Sequence, residues 1–291
     1  LCFLLPFNLS ASEDLQPSSG SSAIATIPLE WLDPFGPPRL HYDQLRPLLK
    51  KPEDIEAIIT RLLSAYRGTH KEKYLLWSLS YAFLLWQSVP RGQERVRVSL
   101  IGTRPVGELS QTSLPPHIPA FWEAVFMGTL ALSQGVLNTL QYVPEFIKRL
   151  KKVEESAPSY FYGSSALLLA KMYIKLPPFP LSLGNISMGM EYLEKARPYQ
   201  ERTYALWYVV KAEGEYLLYG KERAYATLDQ LREVCPVDVT TRYTYEMAIY
   251  LSERFREAIE TGSYDKYLWD PLLEPITPLI EKGYTPSRFC D

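Results

Sequence analysis

The amino-acid sequence predicts an all-α fold in which antiparallel helical hairpins stack as repeats. Three observations lead there. Ile55, Ile58, Ile59, Leu62 and Leu63 recur at the intervals of one helix face. The segment from Glu72 to Gln87 is apolar on most faces (Tyr74, Leu75, Trp77, Leu79, Phe83, Leu84 and Trp86 among others), which suits a central helix or a wall between core and cavity. Finally, one residue spacing closes three separate helices between Phe146 and Pro236.

Taken in order, the chain begins with an apolar run, Leu1 to Phe7, followed by Asn8-Leu9-Ser10-Ala11-Ser12. This reads as the tail of a signal-peptide apolar region, as a lipoprotein leader whose Cys2 carries a lipid anchor, or as an unstructured end. It is too short to span a bilayer, and no later stretch is long and apolar enough, so membrane association would need a lipid. Residues 12–38 are rich in Ser, Pro and Gly and read as a linker. The expected organisation is therefore a signal remnant and linker over 1–40 and a single helical repeat domain over 41–291. Lys51-Pro52-Glu53-Asp54 opens a helix, because Pro fits a first turn and acids favour the N-terminal end of the helix dipole. Residues 90–115 are the least helical part: Val96, Val98 and Leu100 alternate with Arg95, Arg97 and Ser99 as in a short strand, and Gly102, Pro105, Gly107, Pro115 and Pro116 break the rest. Helical pattern resumes at Pro119 and runs to about Ile259. Residues 262–291, with Pro271, Pro275, Pro278 and Pro286, read as an irregular packed tail.

The repeat lies in the helical stretch. Phe146, Leu150, Val153 and Pro158 stand at steps of 4, 3 and 5, as do Gly189, Leu193, Ala196 and Glu201, and Ala224, Leu228, Leu231 and Pro236. The first three places of each set share a helix face, and a Pro at the fourth stops that helix or starts the next. The second and third sets are 35 residues apart; the first and second are 43 apart, with Leu176-Pro177-Pro178-Phe179-Pro180-Leu181-Ser182-Leu183-Gly184 inserted between them. Without that run the period is close to the tetratricopeptide unit of about 34 residues. Tyr208 and Ala212, a large residue followed by a small one, sit where a partner helix would pack on Ala224. Such hairpins stack and curve, leaving a concave surface. Leu206, Val209, Glu213 and Tyr216, away from that seam, are candidates for its wall.

Composition narrows the function. With 31 basic and 33 acidic side chains the net charge is -2, which offers no concentrated positive field for nucleic acid. The short runs Lys148-Arg149-Lys151-Lys152 and Arg91-Arg95-Arg97 read as solvated faces. Cys2, Cys235 and Cys290 make neither a metal site nor a disulfide framework, though a Cys235–Cys290 bridge is allowed. His41, His70 and His117 pair with no other ligand at metal spacing, and nucleophile elbows, phosphate loops and dinucleotide fingerprints are missing. Glu123, Glu154, Glu155, Glu213 and Glu215 read as solvated or ion-paired carboxylates. No enzymatic activity, cofactor or metal is expected. The 21 Tyr, 6 Trp and 11 Phe suit interfaces and half-wet cavities. Tyr160, Phe161 and Tyr162 read as core packing or as a pore lining. Gly163 fits a cap or the mouth of a cavity, and Gly184 a turn.

The succession Pro119-Ala120-Phe121-Trp122-Glu123-Ala124 to Gly135, Pro144 to Ser159, Tyr160-Phe161-Tyr162-Gly163-Ser164-Ser165-Ala166, Lys175-Leu176-Pro177-Pro178, and Gly184-Asn185 to Glu194-Lys195-Ala196 resembles one family in order and spacing. It is similar to the tetratricopeptide-bearing T component associated with tripartite ATP-independent periplasmic (TRAP) transporters, over roughly residues 50–260. Two departures stand out: residues 90–112 are usually helical in that family, and Gly189 and Leu231 replace alanines and Glu201 a proline of the repeat. The resemblance implies a periplasmic lipoprotein or secreted protein that partners the periplasmic solute-binding protein of a TRAP system. It also implies homotrimers, an apolar pore within each protomer, and a small hydrophobic ligand. The candidate lining residues are Trp122, Tyr160, Tyr162, Leu206, Val209 and Tyr216. The alternative is a general tetratricopeptide scaffold for envelope protein assembly, with a polar groove in place of an apolar hollow.

Overall fold

A computed structural model of the chain describes residues 22–36, 45–89, 92–134 and 140–267. Eleven α-helices are found among them: α1 Ser22–Thr26, α2 Pro52–Thr69, α3 Glu72–Ser88, α4 Gln93–Leu109, α5 His117–Ser133, α6 Val143–Ser156, α7 Tyr160–Lys175, α8 Ile186–Gln200, α9 Leu206–Tyr219, α10 Lys221–Gln230 and α11 Val239–Glu260. Short 3₁₀ turns lie at Leu29–Leu32, Leu48–Lys50, Leu140–Tyr142 and Leu231–Glu233. The described residues contain no strand; an isolated bridge joins Pro178 to Gly184. The all-helical expectation is met.

The helix ends follow local chemistry. α2 opens on Pro52 with Glu53 and Asp54 in its first turn, and closes on His70 in the left-handed conformation, φ 53°. Asn185 caps α8, its side chain accepting the N–H of Met188 at 3.0 Å. α11 starts with a capping box: the Asp238 carboxylate accepts the Thr241 N–H at 2.8 Å while the Thr241 hydroxyl accepts the Asp238 N–H at 2.9 Å.

From α2 to α10 each helix packs on the one before it in sequence, and α11 packs on α9 and α10. Contacts also join α3 to α5 and α7 to α9, two elements apart. Phe146, Leu150, Val153, Gly189, Leu193, Ala196, Ala224, Leu228 and Leu231, the shared faces of the three spaced sets, are all buried. Ala212 and Ala224 meet beneath Leu228 and Phe255, so the small residues let α9 and α10 approach closely.

The strand expected near Val96 is a helix instead, α4. Its buried residues are Arg95, Val98, Ser99, Ile101, Gly102, Pro105 and Leu109, of which Arg95, Val98, Gly102, Pro105 and Leu109 follow at steps of three and four along one face. Hydrophobicity alone does not reveal that face, since Arg, Ser and Gly are among its residues. Gly102 is required there: a Cβ would stand 1.8 Å from the Phe126 ring of α5. Arg95 is fully buried, and not on a solvated face as its charge run suggested. Its Nε and Nη2 donate to the carbonyl of Val89, at 3.2 and 2.6 Å, and its guanidinium lies 4.9 Å from the Trp86 ring. The cation thus closes the C-terminal end of α3, where the helix dipole favours positive charge.

The Ser/Pro/Gly-rich leader differs from a linker wherever it is described. Ile24 and Leu32 are buried in the main core. Thr240 donates to the Pro34 carbonyl from its N–H at 2.9 Å and its hydroxyl at 2.8 Å, and the Val239 N–H reaches the Gly36 carbonyl at 3.1 Å. Residues 34–36 are thereby fastened to the start of α11. Cys2, Cys290 and the proline-rich stretch from 268 onward lie outside the described residues. Cys235 is disulfide-bonded, and both cysteines able to partner it lie outside as well. None of the described helices is long and apolar enough to cross a membrane.

Candidate functional site

The site begins with a turn in the backbone. Phe161, Tyr162 and Gly163, at the start of α7, take left-handed dihedrals with φ of 47°, 58° and 67°. For Phe and Tyr this conformation is costly, about 1–2 kcal/mol per residue, and it persists only where surroundings enforce it. Several hydrogen bonds do so. The Gln200 amide donates to the Tyr162 carbonyl at 2.7 Å, the Ser164 hydroxyl donates to the Phe161 carbonyl at 2.6 Å, and the Tyr162 hydroxyl donates to the Asp238 carboxylate that caps α11. Tyr162 also stacks on Tyr204, with centroids 5.5 Å apart. Gly163 sits at the tightest point, where a Cβ would come within 2.8 Å of the Tyr199 ring.

This turn throws the aromatic side chains outward instead of along the helix. With Phe35, Leu76, Trp122, Ser159 and Tyr199 they line an open hollow of about 420 Å³. Phe161 is its hub: Phe35 meets it edge-on at 5.9 Å, Trp122 edge-on at 5.3 Å, and Phe121 lies 5.4 Å away beneath. Phe35 reaches it because Asp33-Pro34-Phe35-Gly36 is a turn. The Asp33 carboxylate accepts the Phe35 N–H at 2.9 Å, and the Gly36 N–H donates to the Asp33 carbonyl at 3.1 Å.

No charged residue is among those lining the hollow. Its polar atoms are few. The indole N–H of Trp122 donates to the Tyr160 hydroxyl at 3.1 Å, which leaves the phenol proton to donate elsewhere. Burial pushes the Tyr160 hydroxyl up to about 12, partly offset by the indole bond, so it stays protonated at ordinary pH. The Asp238 carboxyl behind Tyr162 is also raised, chiefly by burial, against the pull of its bonds from Thr241 and Tyr162. Such a surface is suited to flat apolar molecules, and Ser159, Tyr160 and Tyr199 bring hydroxyl groups among its lining residues. Among the described residues no group of three or more His, Cys, Asp or Glu is placed to hold a metal ion.

Of the residues named from the sequence, the fold brings Trp122, Tyr160 and Tyr162 together around this hollow, but not Leu206, Val209 or Tyr216. Val209 is buried in the core, Leu206 packs against it, and Tyr216 packs edge-on to Phe255 and Tyr264 at 5.8 and 5.1 Å. Glu213, on the same face, is buried between the Lys175 ammonium and the Tyr264 hydroxyl; desolvation raises its carboxyl above the usual value. That face of α9 is covered by α11 and the residues after it. Phe35, Leu76, Ser159 and Tyr199 were missed as lining residues. The Asp-Pro-Phe-Gly turn was a signal for the first; nothing in the sequence marks the other three. The rings of the aromatic triplet pack on the core and also line the hollow. Gly163 itself is not among the lining residues; it holds the left-handed turn against the Tyr199 ring. Gly184 is turn chemistry, its Cβ position standing 1.9 Å from the Leu176 carbonyl oxygen. Compared with family models and with curated proteins, the chain matches none.

Proposed function

We propose that this chain is a non-enzymatic component of a TRAP-type uptake system in the periplasm, which binds a solute-binding protein and holds a small hydrophobic ligand in the hollow at Trp122, Tyr160 and Tyr162. The carrying observation is the hollow itself: seven of its eight lining residues are aromatic or aliphatic, and none is charged. A pocket of this size and character belongs to ligand binding, whereas catalysis would require polar groups converging at its base. The ordered likeness of residues 50–260 to the T component supplies the transport context. The succession of helices, each on its predecessor with further contacts two elements on, supports a tetratricopeptide-like array. The disulfide at Cys235 agrees with an oxidising compartment. A homotrimer, a pore through the array and a lipid on Cys2 belong to the same reading.

The test is affinity capture of the tagged protein from its native cells, with mass spectrometry of both the captured proteins and the extracted small molecules. The proposal expects a solute-binding protein and an apolar small molecule. It also expects that Leu76→Trp, which fills the hollow, loses the small molecule and keeps the partner protein. Capture of envelope-assembly proteins with an empty hollow would move the assignment to a scaffold.

A further inference from the structure

Among the described residues, the run inserted between the first two spaced sets carries the most exposed large apolar side chains. Phe179 is 85% exposed, Leu181 79% and Leu183 48%. Side chains of this kind scattered singly need no explanation, but three on one loop do. The loop is not slack. Its ends are tied by the Gly184 N–H to the Pro177 carbonyl at 2.8 Å and by the Asn185 N–H to the Tyr173 carbonyl at 2.9 Å, and its middle turns on the Leu181 and Ser182 N–H groups, which donate to Pro178 at 3.1 and 3.3 Å. Three prolines stiffen it further. From Leu176 to Met190 no residue is charged. At the base of the loop the Lys266 ammonium lies 3.5 Å from the Leu176 carbonyl oxygen and 5.3 Å from the ring of Tyr267, itself half exposed.

We infer that the loop Pro177–Gly184 inserts into the interface of a phospholipid bilayer, with Phe179, Leu181 and Leu183 entering the acyl boundary and Lys266 and Tyr267 resting at headgroup level. Highly exposed apolar side chains thus stand beside an amphipathic ring and a cation, the combination found where a bilayer's acyl boundary meets its headgroups. A protein partner fits less well. The three side chains together offer at most about 400 Å², half of the ~800 Å² per partner that a stable interface uses. A bilayer needs no such area, because each inserted side chain contributes separately. This inference is independent of the hollow and of any lipid on Cys2.

The experiment is flotation of the full, non-acylated chain with phosphatidylcholine vesicles, together with backbone hydrogen exchange. The chain is expected to float, with a partition constant changing less than about twofold between low and high salt, since insertion and not charge drives it. Exchange is expected to slow at the amides of Phe179, Leu181, Ser182 and Leu183 and not elsewhere. The double substitution Phe179→Ser with Leu181→Ser is expected to reduce partitioning at least about tenfold. Phe179→Trp, which keeps an interfacial ring, is expected to preserve it. Absence of flotation, flotation indifferent to the double substitution, or protection at another segment would overturn the inference. So would self-association in sedimentation velocity that the double substitution abolishes, which would make a second copy of the chain the occupant.

Discussion

Phe161 and Tyr162 hold a backbone that their side chains disfavour, and one of the bonds that hold them there ends on a buried carboxylate. The Tyr162 hydroxyl donates to Asp238, whose carboxyl burial raises above its ordinary 3.8. A carboxyl raised in the folded state adds stability below its unfolded value, and that stability is lost as pH climbs through the folded one. The bond from Tyr162 opposes the rise, because it favours the ionised form. Tyr162→Phe is therefore expected to destabilise by about 1–3 kcal/mol at neutral pH and by less in acid, where the carboxyl is protonated in both proteins. Urea unfolding at a series of pH values checks this; an equal loss at every pH would contradict it. Gly163→Ala is expected to cost about 1–2 kcal/mol, since φ of 67° disfavours a Cβ and the Tyr199 ring must move. The shift in urea midpoint measures the cost, and Tyr199 mobility by fluorine NMR of a labelled ring would show where it falls.

Among the helices, α4 carries the clearest contrast between pattern and packing. Its buried face alternates Arg95, Ser99 and Gly102 with Val98 and Leu109, so a reading based on hydrophobic residues finds the two-residue period of Val96, Val98 and Leu100 instead. What makes it a helix is tertiary: Arg95 finds the Val89 carbonyl and the Trp86 face, and Gly102 admits Phe126. Gly→Ala within a helix ordinarily stabilises by about 1 kcal/mol. Gly102→Ala is expected to do the reverse, destabilising by about 1–3 kcal/mol through overpacking, as thermal unfolding would show. The other long helices were legible, because Ile55 to Leu63, Phe146 to Val153 and Leu193 to Ala196 bury residues that are themselves apolar or small. The hollow was half legible. Trp122, Tyr160 and Tyr162 were named from aromatic character, but the left-handed turn that gathers them depends on Gln200 and Asp238, 38 and 76 residues from Tyr162. The α9 face was misplaced because periodicity gives a helix its sides without saying which one a later helix covers.

At the scale of the molecule, the segment around Leu32 joins the start of the chain to its last described helix. Leu32→Ala is expected to cost about 2–5 kcal/mol, far more than a linker position would, and to open residues 27–36 to limited proteolysis. Thiol titration of the unreduced, denatured and non-acylated chain is expected to find one free thiol of the three cysteines, and three after reduction. The fastening of Pro34 and Gly36 to Thr240 and Val239 bears on assembly. Phe35 belongs to the rim of the hollow; the local turn at Asp33 shapes its segment, and the bonds that fasten that segment to the body are made some 200 residues later. On the proposed reading, the wall of the hollow is complete only after synthesis has passed Thr240. Retention of the proposed ligand would thus report that residues 34–36 have met the start of α11.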